Sequence, residues 1–197
     1  FIKRTNRSEY NACTGEDFTR FYVTSSERKE FFQLIDLMMD AVFYPQVREN
    51  ESIFLQEAWR YETDEEYGKL EYNGVIYNEM KAYEGNIRLM AVRETDKIMF
   101  PETHYAHESG GECASIVKLT HCDVVNFHKK YYKADNSLIC LSGKLDLDEY
   151  LEFLDCEYLS KFERTGNTYE APVAVRLPGE KRYAQFTYPV LKAKGDN

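Results

Sequence analysis

The sequence predicts an α+β fold in which a mixed or antiparallel sheet packs with helices. Three observations carry that expectation. Apolar residues recur at helical spacing in several long stretches, short runs of alternating residues lie either side of tight turns, and the connections between those runs are too short for parallel crossovers. The 197 residues include 43% hydrophobic ones, with 12 Phe and 16 Tyr, enough to bury a sizeable core and to argue against a disordered chain.

The elements follow in order. Residues 11–14 and 17–23 are two short runs joined by Gly15-Glu16, which reads as a hairpin. Over 27–43, Phe31, Ile35, Met38 and Val42 repeat at helical spacing, with Ser25 and Ser26 as available caps and Pro45 beyond the end. A second helix is expected over 51–60, and 61–72, broken by Asp64-Glu65-Glu66 and Gly68, reads as a further hairpin or an irregular loop. From 75 to about 99, Ile76, Met80, Tyr83, Ile87, Met90 and Ile98 suggest one continuous helix with Glu79 at the edge of its stripe. A loop containing Ser109, Gly110 and Gly111 follows Pro101. Thr120 and Asp123 form a capping-box pattern for a helix bearing His128. Residues 137–142 read as a buried strand, and Asp146 with Glu149 as the cap of a helix built on Leu147, Tyr150, Leu151, Leu154 and Leu159. The alternating run 183–190 reads as strand after a linker.

Charge and composition exclude several functions. A net charge of −9 argues against nucleic-acid binding, which needs clustered Lys and Arg; it suits basic peptides, or simply solubility. No apolar run approaches the roughly 20 residues of a membrane span. Five cysteines, an odd number without a C-x-x-C pair, suggest buried thiols in a reducing compartment. Because it opens on Phe1, the sequence reads as an internal segment of a longer chain.

Four histidines are present, His104, His107, His121 and His128. His104 and His107 stand three apart in a loop, not at the i, i+4 spacing of a helical metal pair, so loop surface is the better reading. His128 reads as a half-buried histidine with its hydrogen bonds satisfied. On spacing alone Glu79 is an ordinary carboxylate on a helix face.

Longer motifs go further. The run Gly74-Val75-Ile76-Tyr77-Asn78-Glu79-Met80-Lys81 resembles the G-V-V-[YF]-N-E-M-K-G signature of the presequence protease and falcilysin branch of the pitrilysin family of zinc metallopeptidases. Other stretches fall in that family's order. Asn11-Ala12 through Phe21 resembles N-A-x-T-x-x-D-x-T-x-Y, residues 40–45 resemble D-A-V-F-x-P, and 56–62 resemble Q-E-G-W-R-x-E. Phe100-Pro101 through Gly111 resembles F-P-x-x-x-Y-x-x-x-S-G-G, and 127–137 resembles F-H-x-x-Y-Y-x-P-S-N-S. The resemblance covers about residues 9 to 162. Departures, among them Ala58 and Ala82 for glycines and Glu112-Cys113 after the S-G-G run, mark a divergent member.

The resemblance implies the pitrilysin fold, truncated on its N-terminal side. Residues 1–165 would be the C-terminal part of the first peptidase domain of the N-terminal half, and 166–197 a linker into the second domain. It implies a zinc endopeptidase of short unstructured peptides in which H-x-x-E-H supplies two ligands and the catalytic base, and a distant glutamate, here Glu79, supplies the third ligand. The H-x-x-E-H motif is missing from this sequence, so the segment alone is expected to be inactive with an incomplete zinc site. Asn11 and Ala12 match edge-strand positions where a peptide substrate would add as an extra strand, although a plain hairpin explains them as well. Ser109, Gly110 and Gly111 are expected to shape a loop. Implied partners are peptides and the remaining domains of the parent chain, with self-association of the segment through uncovered apolar surface. Organellar localisation, whether mitochondrial, plastid or vacuolar, follows by family analogy, with the cytosol open. The competing expectation is a non-catalytic scaffold or assembly subunit of the same family; a third is an autonomous peptide-binding module.

Overall fold

The computed structural model describes residues 9–63 and 68–164, with Gly166 and Gln185. The fold is α+β, and the chain divides into two compact units.

The first unit takes residues 1–55 and 119–171. It opens with a hairpin of β1 (Glu9–Thr14) and β2 (Thr19–Thr24), antiparallel and in register from Glu9 opposite Thr24 to Thr14 opposite Thr19. Gly15 N–H donates to the Phe18 carbonyl at 2.8 Å, closing the turn. Helix α1 (Arg28–Phe43) begins after Glu27, which makes no side-chain cap; Ser25 Oγ instead accepts from Glu27 N–H and donates to the Glu30 carboxylate at 2.6 Å. Its Ile35, Met39 and Phe43 pack against Tyr150, Leu154 and Tyr158. The Phe32 ring stacks on that of Tyr150 at 4.0 Å.

The later helices of this unit correct and extend the sequence reading. In α6 (His121–Tyr131), Thr120 and Asp123 form the expected reciprocal capping box. His128 is buried, bonds the Val42 carbonyl through Nε2 at 2.8 Å and stacks on Tyr132. Helix α7 (Leu147–Glu157) starts without the expected box: Asp146 makes no side-chain cap, and Glu149 pairs with Arg28 of α1. Of its expected core positions Tyr150 and Leu154 are buried, while Leu147 and Leu151 are exposed. Residues 137–142 are not a strand, and Leu138 is 88% exposed. An extended segment becomes strand only against a partner that takes up its backbone groups, and each sheet among the described residues consists of its own two hairpin strands, without this segment.

Helix α2 (Glu51–Glu57) runs across the boundary of the units and stops three residues short of the expected end, because Arg60 already begins a strand. The second unit takes 56–118 and 172–197. Its hairpin of β3 (Arg60–Thr63) and β4 (Leu70–Asn73) pairs Arg60 with Asn73 and Tyr61 with Tyr72. The expected single helix over 75–99 is two, α3 (Val75–Glu84) and α4 (Ile87–Met99). The break lies at Gly85-Asn86, where the Asn86 side chain accepts from the N–H groups of Arg88 and Leu89 and so starts a new helix. A one-turn helix, α5 (Cys113–Ile116), completes a small core of Tyr77, Met80, Cys113 and Ile116, with Trp59 against it.

All five cysteines are free, but only Cys113 is buried; the other four are exposed, against the expectation of buried thiols. The run 183–190 lies outside the described residues except for Gln185. No helix among the described residues is long and apolar enough to cross a membrane.

Candidate functional site

The candidate site is built on α3. Tyr77 and Met80 turn one face of this helix into the small core. Gly74 sits directly before its first residue, with φ 158°, against the backbone of Ala58 and Trp59. Tyr77 N–H then reaches the Ala58 carbonyl at 3.3 Å, and the start of the helix is fastened to the start of the hairpin. Asn73 adds a side-chain clamp: its Oδ1 accepts from Gly74 N–H at 2.7 Å and from Asn78 Nδ2 at 2.7 Å, while its Nδ2 donates to the Glu62 carboxylate. The sequence reading passes over Asn73. Its one signal there is its place between a strand and the glycine that opens the N-E-M run.

Glu79 lies on the opposite face of α3 and is exposed. The stripe it shares is apolar: Val75 is 53%, Ile76 41% and Tyr83 42% exposed, at helical spacings of four, three and four residues from Glu79. No hydrogen bond or ion pair holds its carboxylate among the described residues. Glu84, one turn on, faces the Cys113 thiol, which burial first and that carboxylate second push up to about 11.

The loop with Ser109, Gly110 and Gly111 packs on the same helix. A Cβ at Gly110 would lie 2.4 Å from Met80 Sδ, and Gly111, at φ 88°, would place one 3.1 Å from Ile116. Gly111 N–H donates to the Glu108 carbonyl at 2.9 Å, and Glu108 pairs with Arg93 of α4 at 3.3 Å. Glu112 and Glu94 both reach Lys97, whose pKa the Glu94 bond raises. Ser109 is exposed, and Glu102 earlier in the loop has φ 63°, uncommon for a residue with a side chain.

Asn11 and Ala12 belong to the first unit. Both are exposed on β1, opposite Tyr22 and Phe21, and Ala12 N–H donates to Asn11 Oδ1 at 2.8 Å. Among the described residues β1 pairs only with β2, so its other edge has no strand beside it. Of the loop histidines, His104 is half-buried with its ring 4.3 Å from that of Tyr105, and His107 is exposed. His121 bonds the Val47 carbonyl.

A catalytic zinc centre takes three protein ligands and an open position. The described residues hold no group of three or more His, Cys, Asp or Glu suited to a metal ion. Glu79 fits as a single donor, an unengaged carboxylate in an apolar stripe, and the described residues do not supply the rest of the set.

Comparison with known proteins adds an independent observation. Residues 118–195 match the family described as Peptidase M16 inactive domain. The chain is 42% identical over 162 residues to Protein HypA of Clostridium perfringens, covering 82% of the chain and 17% of that protein. It is 39% identical over 204 residues to the mitochondrial presequence protease of Drosophila melanogaster, covering 100% of the chain and 19% of the relative. It is 35% identical over 162 residues to presequence protease 1, chloroplastic/mitochondrial, of Arabidopsis thaliana, covering 82% of the chain and 15% of the relative. The chain thus spans less than a fifth of the length of these relatives.

Proposed function

The chain belongs to the pitrilysin-type peptidases, in their presequence protease branch, and from that premise we propose that it is a piece of a zinc-dependent endopeptidase in which Glu79 supplies one protein ligand to the metal. One observation carries the reading. A glutamate on an ordinary outer helix face has polar neighbours and stays in water, whereas Glu79 is set in a stripe of Val75, Ile76 and Tyr83 that another part of the protein would cover. Covering that stripe takes the carboxylate out of water, which is tolerated only with a cation or strong donors beside it. A metal held jointly with side chains from the covering part meets that need.

Zinc in such a site supplies Lewis acidity toward a water and a peptide carbonyl. The part of this chain is to hold one corner of the metal on a helix whose start is fixed to a hairpin. The edge of β1 at Asn11 and Ala12 that carries no strand among the described residues is the place we assign to a peptide substrate, held as an added strand by main-chain bonds that ask little of its sequence. Ser109, Gly110 and Gly111 keep the loop against α3. We assign 1–165 to the C-terminal part of the first peptidase domain of the N-terminal half, and 166–197 to a linker and the start of the second domain. The relatives named mitochondrial or chloroplastic support an organellar compartment by analogy.

The competing reading, a non-catalytic scaffold, draws on the description of the family matched at 118–195 as an inactive domain. Glu79 lies outside that stretch, so the description does not touch the proposed ligand. Purified full-length parent protein decides between the two. The enzyme reading expects stoichiometric zinc and cleavage of an unstructured peptide that a chelator abolishes; a zinc-free parent without cleavage overturns it.

A further inference from the structure

We propose that Asn73 is a positioning residue for Glu79, a role that rests on the reading of Glu79 as a metal ligand. Asn73 ends β4 and immediately precedes Gly74, and its one carboxamide is engaged at both ends by three residues. Its oxygen takes the Gly74 N–H at the threshold of α3 and the Asn78 amide in the first turn, and its nitrogen gives to Glu62 on β3. Glu62 and Asn73 share one face of the hairpin, and Arg60 Nη2 lies 3.4 Å from both Glu62 oxygens, so the acceptor is itself held.

Asn78 is the residue next to Glu79. Successive helical residues are about 100° apart around the axis, so whatever fixes the rotation of the first turn fixes where the Glu79 carboxylate points. Backbone contacts alone, Gly74 on Ala58 and Tyr77 N–H on the Ala58 carbonyl, attach the helix start at one side. The Asn73 carboxamide attaches it to the other strand. A displaced ligand weakens a metal site even when its chemistry is intact.

The direction of the bonds supplies the test. In Asn73→Asp the oxygen contacts to Gly74 and Asn78 persist, but the donor to Glu62 becomes a second carboxylate facing the first. Glu62→Gln in the same protein restores a donor, now running from position 62 to the carboxylate at position 73, while Glu62→Gln alone keeps an acceptor for Asn73. The variants are made in the full-length parent and read by chelator-competition zinc affinity and by amide hydrogen exchange in residues 74–78. Asn73→Asp should lower zinc affinity by about 10- to 100-fold, as for other groups that orient a ligand, and speed exchange at 74–78. The double variant should recover both. Unchanged zinc affinity in Asn73→Asp, or loss that Glu62→Gln does not repair, overturns the proposal. Glu79→Gln runs alongside. If that variant retains wild-type affinity, the ligand reading falls and takes the positioning role with it; if it loses zinc while Asn73→Asp does not, the ligand reading stands and the positioning role alone is overturned.

Discussion

A Cβ on residue 74 would lie 2.3 Å from the carbonyl oxygen of Ala58, so Gly74 and Ala58 are in direct backbone contact at the start of α3. Backbone on backbone leaves nothing to rotate aside. Gly74→Ala should therefore destabilise the second unit by about 3 kcal/mol, in the range of overpacking combined with backbone strain. Gly85→Ala is the contrast: its φ is −82° and nothing lies within 4 Å of the added carbon, so a change within about 1 kcal/mol, tending to stabilise, is expected. Urea unfolding of both variants checks the difference, and similar midpoints would contradict the contact.

Much of this region is legible in the sequence because local chemistry decides it. Thr120 and Asp123 lie three apart and bond each other's backbone, so that helix start needs no tertiary help. The helical period over 75–99 is equally plain, yet the break at Gly85-Asn86 escapes it, because Ile87 and Met90 keep a compatible phase across the new cap. The segment 137–142 has the composition of a buried strand, and whether it becomes one depends on a pairing partner that no local pattern encodes. At the site, the proposed role of Glu79 rests in the sequence on its flanking motif alone. Asn73 bonds residues eleven positions back and five ahead and carries no periodic signature.

The glycine at 110 meets a side chain instead of backbone. Met80 Sδ would be 2.4 Å from an added Cβ, but a thioether can swing away. Gly110→Ala should cost about 1 to 3 kcal/mol, and Met80→Ala in the same chain should recover part of that cost. A double variant that is simply the sum of the two single ones would show that loop and helix are not in contact.

His128 gives the first unit a dependence on pH. Burial, with the Arg48 charge as a smaller contribution, holds its pKa below 6.5 against the opposing bond to the Val42 carbonyl. With Nε2 at that carbonyl, Nδ1 is buried and has no partner among the described residues, so a proton there finds no acceptor among them. A folded pKa below the unfolded one means stability that is complete above pH 6.5 and is lost as pH falls through that value toward the folded pKa. His128→Gln, which keeps a nitrogen donor for Val42 and cannot be protonated, should flatten stability between about pH 7 and 5. Equal slopes in the two proteins would rule out His128 as the source.

The chain made alone leaves the Val75, Ile76 and Tyr83 stripe of the second unit in water, and Leu138 of the first unit likewise, and exposed apolar side chains favour association. Self-association that strengthens with concentration is expected in sedimentation. A single monomeric species across the range would mean that these residues need no cover.

The proposed metal-ligand role of Glu79 has a direct test. In the full-length parent, Glu79→Gln keeps the shape and an oxygen but removes the negative charge that a zinc ligand contributes. Loss of one ligand in three should strip most of the bound zinc and with it the cleavage of an unstructured peptide. A solvent-facing glutamate changed to glutamine should alter stability by no more than about 0.5 kcal/mol and leave zinc untouched. Glu84→Gln on the same helix is the matched control, since glutamine still offers the Cys113 thiol an oxygen to accept its hydrogen. Zinc content by elemental analysis and peptide hydrolysis are measured on both, with hydrogen exchange in α3 to show that the helix remains folded. Zinc and activity lost only in Glu79→Gln, on an intact helix, identify the ligand. Equal zinc in both variants would return Glu79 to the status of an exposed carboxylate in an apolar stripe that some other group covers.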